Sequence, residues 1–137
     1  MRERILGLLG LMRRANAIAA GEDKTGESAR AGRAQLLLLA ADASDNARKR
    51  IEGYTAGGKV PWLTLPFTKE EFAAALGLTG GSMAAIEDVG FAGALLKALI
   101  QLEPERYGAQ AKEIMDGLRS RTQGNKRKRN GLRRTIG

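Results

Sequence analysis

The sequence predicts an α/β protein: a three-layer α/β/α sandwich around a four-stranded mixed sheet, followed by a C-terminal helix and a basic tail. Two observations carry this. Helical and strand patterns alternate four times before two helices close the chain. One stretch, Gln35 to Asn46, reads as a strand buried on both faces that runs into a helix cap. Its four successive leucines, Leu36 to Leu39, show neither helical nor alternating period, which suits a central strand, although a buried helix segment can read the same way. The run is about five to six residues long, the usual length of a strand. Polarity then changes at Asp42, and Ser44, Asp45 and Asn46 are all good acceptors for the free N–H groups of a helix start.

The other elements follow in order. Ile5, Leu8, Leu9, Leu11 and Met12 have the i, i+3, i+4 spacing of a helix with those five side chains on its core face. Arg2 and Arg4 ahead of that apolar run imitate a secretion signal. Arg13 and Arg14 stand where a cleavage region would be small, however, and the apolar run of only about eight residues is far short of the ~20 a membrane span needs. A short strand near 17–20 ends at Gly21. Glu22 to Ala31 is the second helix, opened by acids that suit the positive end of its dipole and closed by Gly32. After the strand near 35–40 comes a helix from Ser44 to Gly53 carrying Arg48, Lys49 and Arg50. A strand near 60–65 follows, with Pro61 tolerated at its start. Thr68-Lys69-Glu70-Glu71 is a capping box for a helix that stops at Gly77. Gly80-Gly81 turns into a strand near 82–86, and Glu87 to Gly90 reads as a loop before a helix over 91–101. Pro104 opens the last helix, whose apolar positions are Tyr107, Ala111, Ile114, Met115 and Leu118. The expected organisation is a domain over 1–102, a helical extension over 103–120 and a basic tail over 121–137. The tail has almost nothing to bury and is expected to be disordered when free.

Composition narrows the function. With no cysteine and no histidine in 137 residues, thiol chemistry, imidazole catalysis and cysteine or histidine metal sites are all excluded. No cofactor is expected, and the absence of cysteine fits a cytoplasmic protein. The net charge of +8 is unevenly placed. Arg119, Arg121, Lys126, Arg127, Lys128, Arg129, Arg133 and Arg134 have no acid among them, so the tail holds the whole excess and residues 1–118 keep 15 of each sign. Such a run suggests a polyanion, with nucleic acid ahead of membrane, and salt-sensitive affinity for phosphates.

Other motifs reduce to structure. Gly53 to Lys59 matches the Gly-x4-Gly-Lys spacing of a phosphate-binding loop, but Val60 replaces the Ser or Thr that holds magnesium, and the loop runs from helix to strand instead of the reverse. The acid pairs Glu70-Glu71 and Glu87-Asp88 sit where solvated or dipole-pairing carboxylates are usual. Arg48-Lys49-Arg50 is either a solvated helix face or a phosphate contact.

Leu8-Leu9-Gly10-Leu11, Gly21-Glu22-Asp23, Leu38-Leu39-Ala40-Ala41-Asp42-Ala43-Ser44, Lys59-Val60-Pro61 and Gly90-Phe91-Ala92 occur in the order seen in a known family. Over about residues 4 to 100 the chain resembles the kink-turn-binding ribosomal-protein superfamily, of the L-seven-Ae and L-thirty-e type, and within it the bacterial YlxQ-like branch. That resemblance implies the same sandwich fold and RNA as the partner. In the family, the start of the second helix reads tandem sheared G·A pairs through a Gly-x-Asn-Glu-x-x-Lys pattern. Here the pattern falls on Gly21, Asp23, Lys24 and Glu27, within the segment that also holds Glu22 and Thr25. Asp23 replaces asparagine, Lys24 replaces glutamate and Glu27 replaces lysine. An acid at 27 cannot donate to guanine or phosphate, and each base contact forgone costs about 1–3 kcal/mol.

The resemblance also implies contacts from the loop before the fifth helix (Glu87, Asp88, Val89, Gly90) and from the turn after the central strand (Asp42, Ser44, Asn46). All three regions are expected at one end of the sheet. Lys126, Arg127, Lys128, Arg129, Arg133 and Arg134 would add phosphate contacts. The expectation is a monomeric, non-catalytic, ribosome-associated or structured-RNA-binding protein with no membrane partner. The alternative is a protein-interaction module that kept the fold and lost kink-turn recognition.

Overall fold

Chain order in the structure is α1 (Arg2–Arg14), β1 (Ile18–Ala20), α2 (Glu22–Arg30), β2 (Leu36–Leu39), α3 (Asp45–Tyr54), β3 (Trp62–Thr64), α4 (Lys69–Ala75), β4 (Met83–Ile86) and α5 (Val89–Leu102), then α6 over 104–118. This computed structural model describes residues 1–58 and 60–118. Lys59 and the tail cations Lys126, Arg127, Lys128, Arg129, Arg133 and Arg134 lie outside the described residues.

The four strands form one sheet in the order β1-β4-β2-β3. β4 runs antiparallel to both β1 and β2, and β2 pairs parallel with β3, so the sheet is mixed. Side chains alternate across a strand. Leu36 and Leu38 therefore join Ala84 and Ile86 on one face, while Leu37 and Leu39 join Met83 and Ala85 on the other. The first face packs on Ile5, Leu9 and Met12 of α1, Phe72 of α4, Leu95 and Leu99 of α5, and Tyr107 and Ala111 of α6. The second packs on Ala47 and Ile51 of α3, with α2 laid beside α3. The three-layer sandwich is present. The run of four leucines is buried because helices cover both sides of the central strand, and truncating Leu38 to Ala would cost about 2–5 kcal/mol.

α6 belongs to the same core. Pro104 opens it where α5 ends at Glu103, and the Tyr107 hydroxyl donates to the Thr64 carbonyl of β3 at 2.6 Å. Burial pushes the Tyr107 phenol up to about 12, because the phenolate would lose its water.

Three expectations differ from the structure. Leu11 is 47% exposed: a stripe of Ile5, Leu9 and Met12 is enough to seat α1, and Leu11 falls outside it. Val89 and Gly90 form the first turn of α5 instead of a loop, because the Asp88 carboxylate accepts from Phe91 N at 2.8 Å and starts the helix early. The largest difference is topological. β4 is antiparallel to its neighbours, so Glu87 follows Ile86 at the end where Ile18 and Leu36 begin their strands. Glu87, Asp88, Val89 and Gly90 are therefore at the opposite end of the sheet from Gly21 and Asp42.

Candidate nucleic-acid interface

β1, β2 and β3 all finish at the Gly21 end of the sheet, and α2, α3 and α4 all begin there. Three positive helix termini thus share one end of the molecule, and they are closed in different ways. Ser44 caps α3, its Oγ accepting from Ala47 N at 3.1 Å. Thr68 and Glu71 form the capping box of α4. Asp42 seals α4 further, Oδ1 accepting from Lys69 N at 2.7 Å. The Glu71 carboxyl is held below its usual range by the Thr68 backbone N–H and then by Arg2.

α2 has no side-chain cap. Its N-cap is Gly21, at φ 101° and ψ 162°, a conformation that is essentially reserved for glycine. Gly21 N donates to the Met83 carbonyl at 3.0 Å, and its own carbonyl accepts from Thr25 N at 2.9 Å and Thr25 Oγ1 at 2.6 Å. The turn is thus tied to β4 and to the helix, while the N–H groups of Glu22, Asp23 and Lys24 meet no acceptor among the described residues. That is the geometry in which a helix start binds an anion.

The candidate side chains divide accordingly. Asp23 and Lys24 are exposed at the mouth of α2 with no partner among the described residues, as is Asn46 in the first turn of α3. Glu22 is exposed but paired, Oε1 lying 2.9 Å from Arg50 Nε, so Arg50 neutralises one of the acids. Thr25 is fully buried and its hydroxyl belongs to Gly21. Asp42 and Ser44 hold helix starts. Glu27 sits farther along α2, 3.9 Å from Arg33, which also contacts Glu87 at 3.2 Å. Glu87 accepts in turn from the buried Ser28 hydroxyl at 2.6 Å. Glu27 is therefore linked to the far end of the sheet. Lys49 is exposed without a partner among the described residues, whereas Arg48 leans over the Trp62 ring at 5.8 Å.

Sequence reasoning missed two features. The loop over 77–82 lies between the α2 mouth and the Asp42 turn, since Gly21 bonds Met83 and the Ala40 N–H donates to the Ser82 carbonyl at 2.8 Å. Its signal was Gly80-Gly81 just before the last strand, but only the antiparallel pairing says which end that turn reaches. The second is Gly26, where a Cβ would lie 2.8 Å from Tyr54 Cζ; the missing side chain lets α3 press against α2 and steadies the open helix start.

The chain is 38% identical over 96 residues to the RNA-binding protein YlxQ of Bacillus subtilis (strain 168), a match covering 67% of this chain and 91% of that protein. The chain belongs to the L-seven-Ae/L-thirty-e-like family of RNA-binding proteins. No protein-family profile matches it. Among solved structures, a protein of unknown function from Bacillus halodurans C superposes with a TM-score of 0.62 at 26% identity, covering 71% of this chain and 96% of that one. The Giardia lamblia 15.5kD RNA binding protein superposes with a TM-score of 0.52 over 84% of each chain. At 19% identity, that second likeness speaks for the fold alone. Gly21 opens α2 in this chain, with Asp23, Lys24 and Glu27 after it. No helix among the described residues is long and apolar enough to cross a membrane, and no group of three or more Asp and Glu side chains is placed to hold a metal.

Proposed function

We propose that this protein is a non-catalytic RNA-binding protein that seats the open start of α2 on the backbone of a kink-turn-like structured RNA, in a ribosome-associated setting. The observation that supports this best is the α2 terminus at Gly21, which has no side-chain cap, beside two helix starts that each carry one. Free N–H groups at that point suit a phosphate oxygen. Lys24 and Asn46 flank it as donors, and the loop over 77–82 fills the space between α2 and the Asp42 turn. Asp23 accepts from the amino edge of a base, whereas Thr25, Asp42 and Ser44 support the surface from beneath. Glu27, Asp88, Val89 and Gly90 lie away from this surface and take no part in it. The basic tail, Lys126 to Arg129 with Arg133 and Arg134, adds phosphate contacts that carry no sequence information. The protein acts as a cytoplasmic monomer.

The test is binding of a kink-turn RNA and of its G·A-disrupted mutant across a salt series, by the native chain and by one with Lys126, Arg127, Lys128 and Arg129 changed to Gln. The expected result is a preference for the intact kink-turn that persists in the Gln variant. The slope of log affinity against log salt should flatten by about 0.7–0.9 for each phosphate that the tail no longer neutralises. Equal binding of both RNAs, abolished in the Gln variant, would leave only a basic arm and sink the site-specific reading. That outcome would favour the alternative, a protein-interaction module, for which the exposed acids Glu22 and Asp23 at the α2 mouth are the motivating observation.

A further inference from the structure

On the opposite layer from α2, the outer faces of α1 and α5 lie side by side and leave an open groove of about 560 Å³. Its floor is apolar: Gly7, Leu8 and Leu11 from α1, Ala94 and Ala98 from α5. Leu11 is one of only two large hydrophobic side chains exposed among the described residues, and Gly7 has open space where a Cβ would be. The rim is basic, with Arg4 and Arg14 on one side and Lys97 on the other. None of the three has an ion pair or hydrogen bond among the described residues, and no carboxylate lines the groove.

The spacing is helical on both walls. Positions 4, 7, 8, 11 and 14 form one stripe on α1, and positions 94, 97, 98 and 101 form another on α5. From Arg4 to Arg14 the groove is about 15 Å long, which is three turns of helix. Small residues at Gly7, Ala94 and Ala98 let a third helix lie close, its side chains set between the ridges of the two walls.

We propose that this groove docks an acidic amphipathic helix of a partner protein, with its apolar stripe over Leu8 and Leu11 and its carboxylates on Arg4, Arg14 and Lys97. Charge selects among the occupants. A second copy of this chain placed about a twofold axis would bring the same cations face to face. The chain's own residues 119–137 carry eight cations and no acid, so they are repelled as well. Of these occupants, an acidic helix satisfies both floor and rim. The sheet separates this groove from the α2 layer, so a partner docked here leaves the proposed RNA surface free.

The experiment uses the full isotope-labelled chain and follows amide shifts by NMR. The probes are a synthetic amphipathic peptide of about three to four helical turns with leucines at i, i+3, i+4 and i+7 and glutamates on both flanks, its lysine-flanked twin, and a proline-broken version. Phosphatidylserine vesicles and polyuridylate are further arms. The expected result is saturable binding of the acidic peptide alone, with shifts at Gly7, Leu8, Leu11, Ala94, Lys97 and Ala98. Leu11→Glu should weaken it by about tenfold or more. Lys97→Glu should weaken it too, and neither change should alter kink-turn RNA affinity. Equal binding of the acidic and lysine-flanked peptides overturns the proposal, as does no saturable shift with any peptide. It is also overturned if the groove resonances respond to vesicles or to polyuridylate and not to the acidic peptide. Because RNA affinity is read in the same variants, failure here is distinguishable from failure of the RNA reading.

Discussion

At the end of the sheet where Ile86 meets Ile18 and Leu36, Glu87 and Asp88 are turned back into the fold. Glu87 takes the Ser28 hydroxyl and Arg33, and Asp88 caps α5. At the end where Ala20 and Leu39 finish, two helix starts likewise carry side-chain caps, but the third is left to a glycine. Both ends hold acids, hydroxyls and turns of similar composition. What separates them is whether the backbone N–H groups of a helix start already have an acceptor. A side-chain cap contributes stability and takes up an orphan N–H of the helix start; a glycine start gives up about a few tenths of a kcal/mol of that and keeps its donors for an external oxygen.

Gly21→Ala attacks the open end directly. At φ 101° a Cβ is strained, so the loss should be about 1–3 kcal/mol in denaturant unfolding, and kink-turn RNA affinity should fall with it. Unchanged RNA binding in a folded Gly21→Ala variant would remove the α2 mouth from the interface. Tyr107→Phe tests the α6 side of the same end. It leaves the Thr64 carbonyl without its donor and should cost about 1–3 kcal/mol, with RNA affinity unaltered.

The raised Tyr107 pKa adds a pH dependence. Unfolded tyrosine titrates near 10 and the folded phenol near 12, so the native state holds its proton longer. The associated stability is complete below pH 10 and disappears as pH rises from about 10 to 12, up to about 2–3 kcal/mol in all. Unfolding curves of the native chain should show that decline, and those of Tyr107→Phe should lack it.

Asp88→Ala opens the other end. It removes the α5 cap and should cost about 1 kcal/mol of stability while leaving RNA binding where it was. A clear loss of RNA affinity would mean that the far end also touches RNA and that the contrast between the ends is false. The smallest effect belongs to Arg50→Ala. Its exposed pair with Glu22 is worth at most about 1 kcal/mol to the fold, but the Glu22 carboxylate is then unbalanced beside the α2 mouth. RNA binding should weaken modestly, and more at low salt than at high salt.

Much of this molecule was legible from local rules. The Thr68–Glu71 box, Gly32 and Gly77 as stops, Pro104 as a start and the leucine run as a central strand are all decided within a few residues of chain, and the structure has each of them. The body's charge balance and the lack of histidine and cysteine were equally plain. Asn16 was harder to see: its φ of 56° ends α1 without the glycine that usually announces such a stop.

The sequence by itself thus determined the order of helices and strands, that a central strand covered on both sides runs through Leu36 to Leu39, and that a glycine stands between the first strand and α2. Only the tertiary structure decided which turns share an end, because that depends on the direction of β4, and an isolated four-residue strand reads the same in either direction. Antiparallel pairing carried Glu87 to Gly90 away from Gly21 and brought the loop over 77–82 to it. Tertiary packing likewise decided that Leu11 faces outward beside Lys97, since two helices must first be set side by side before a groove exists between them.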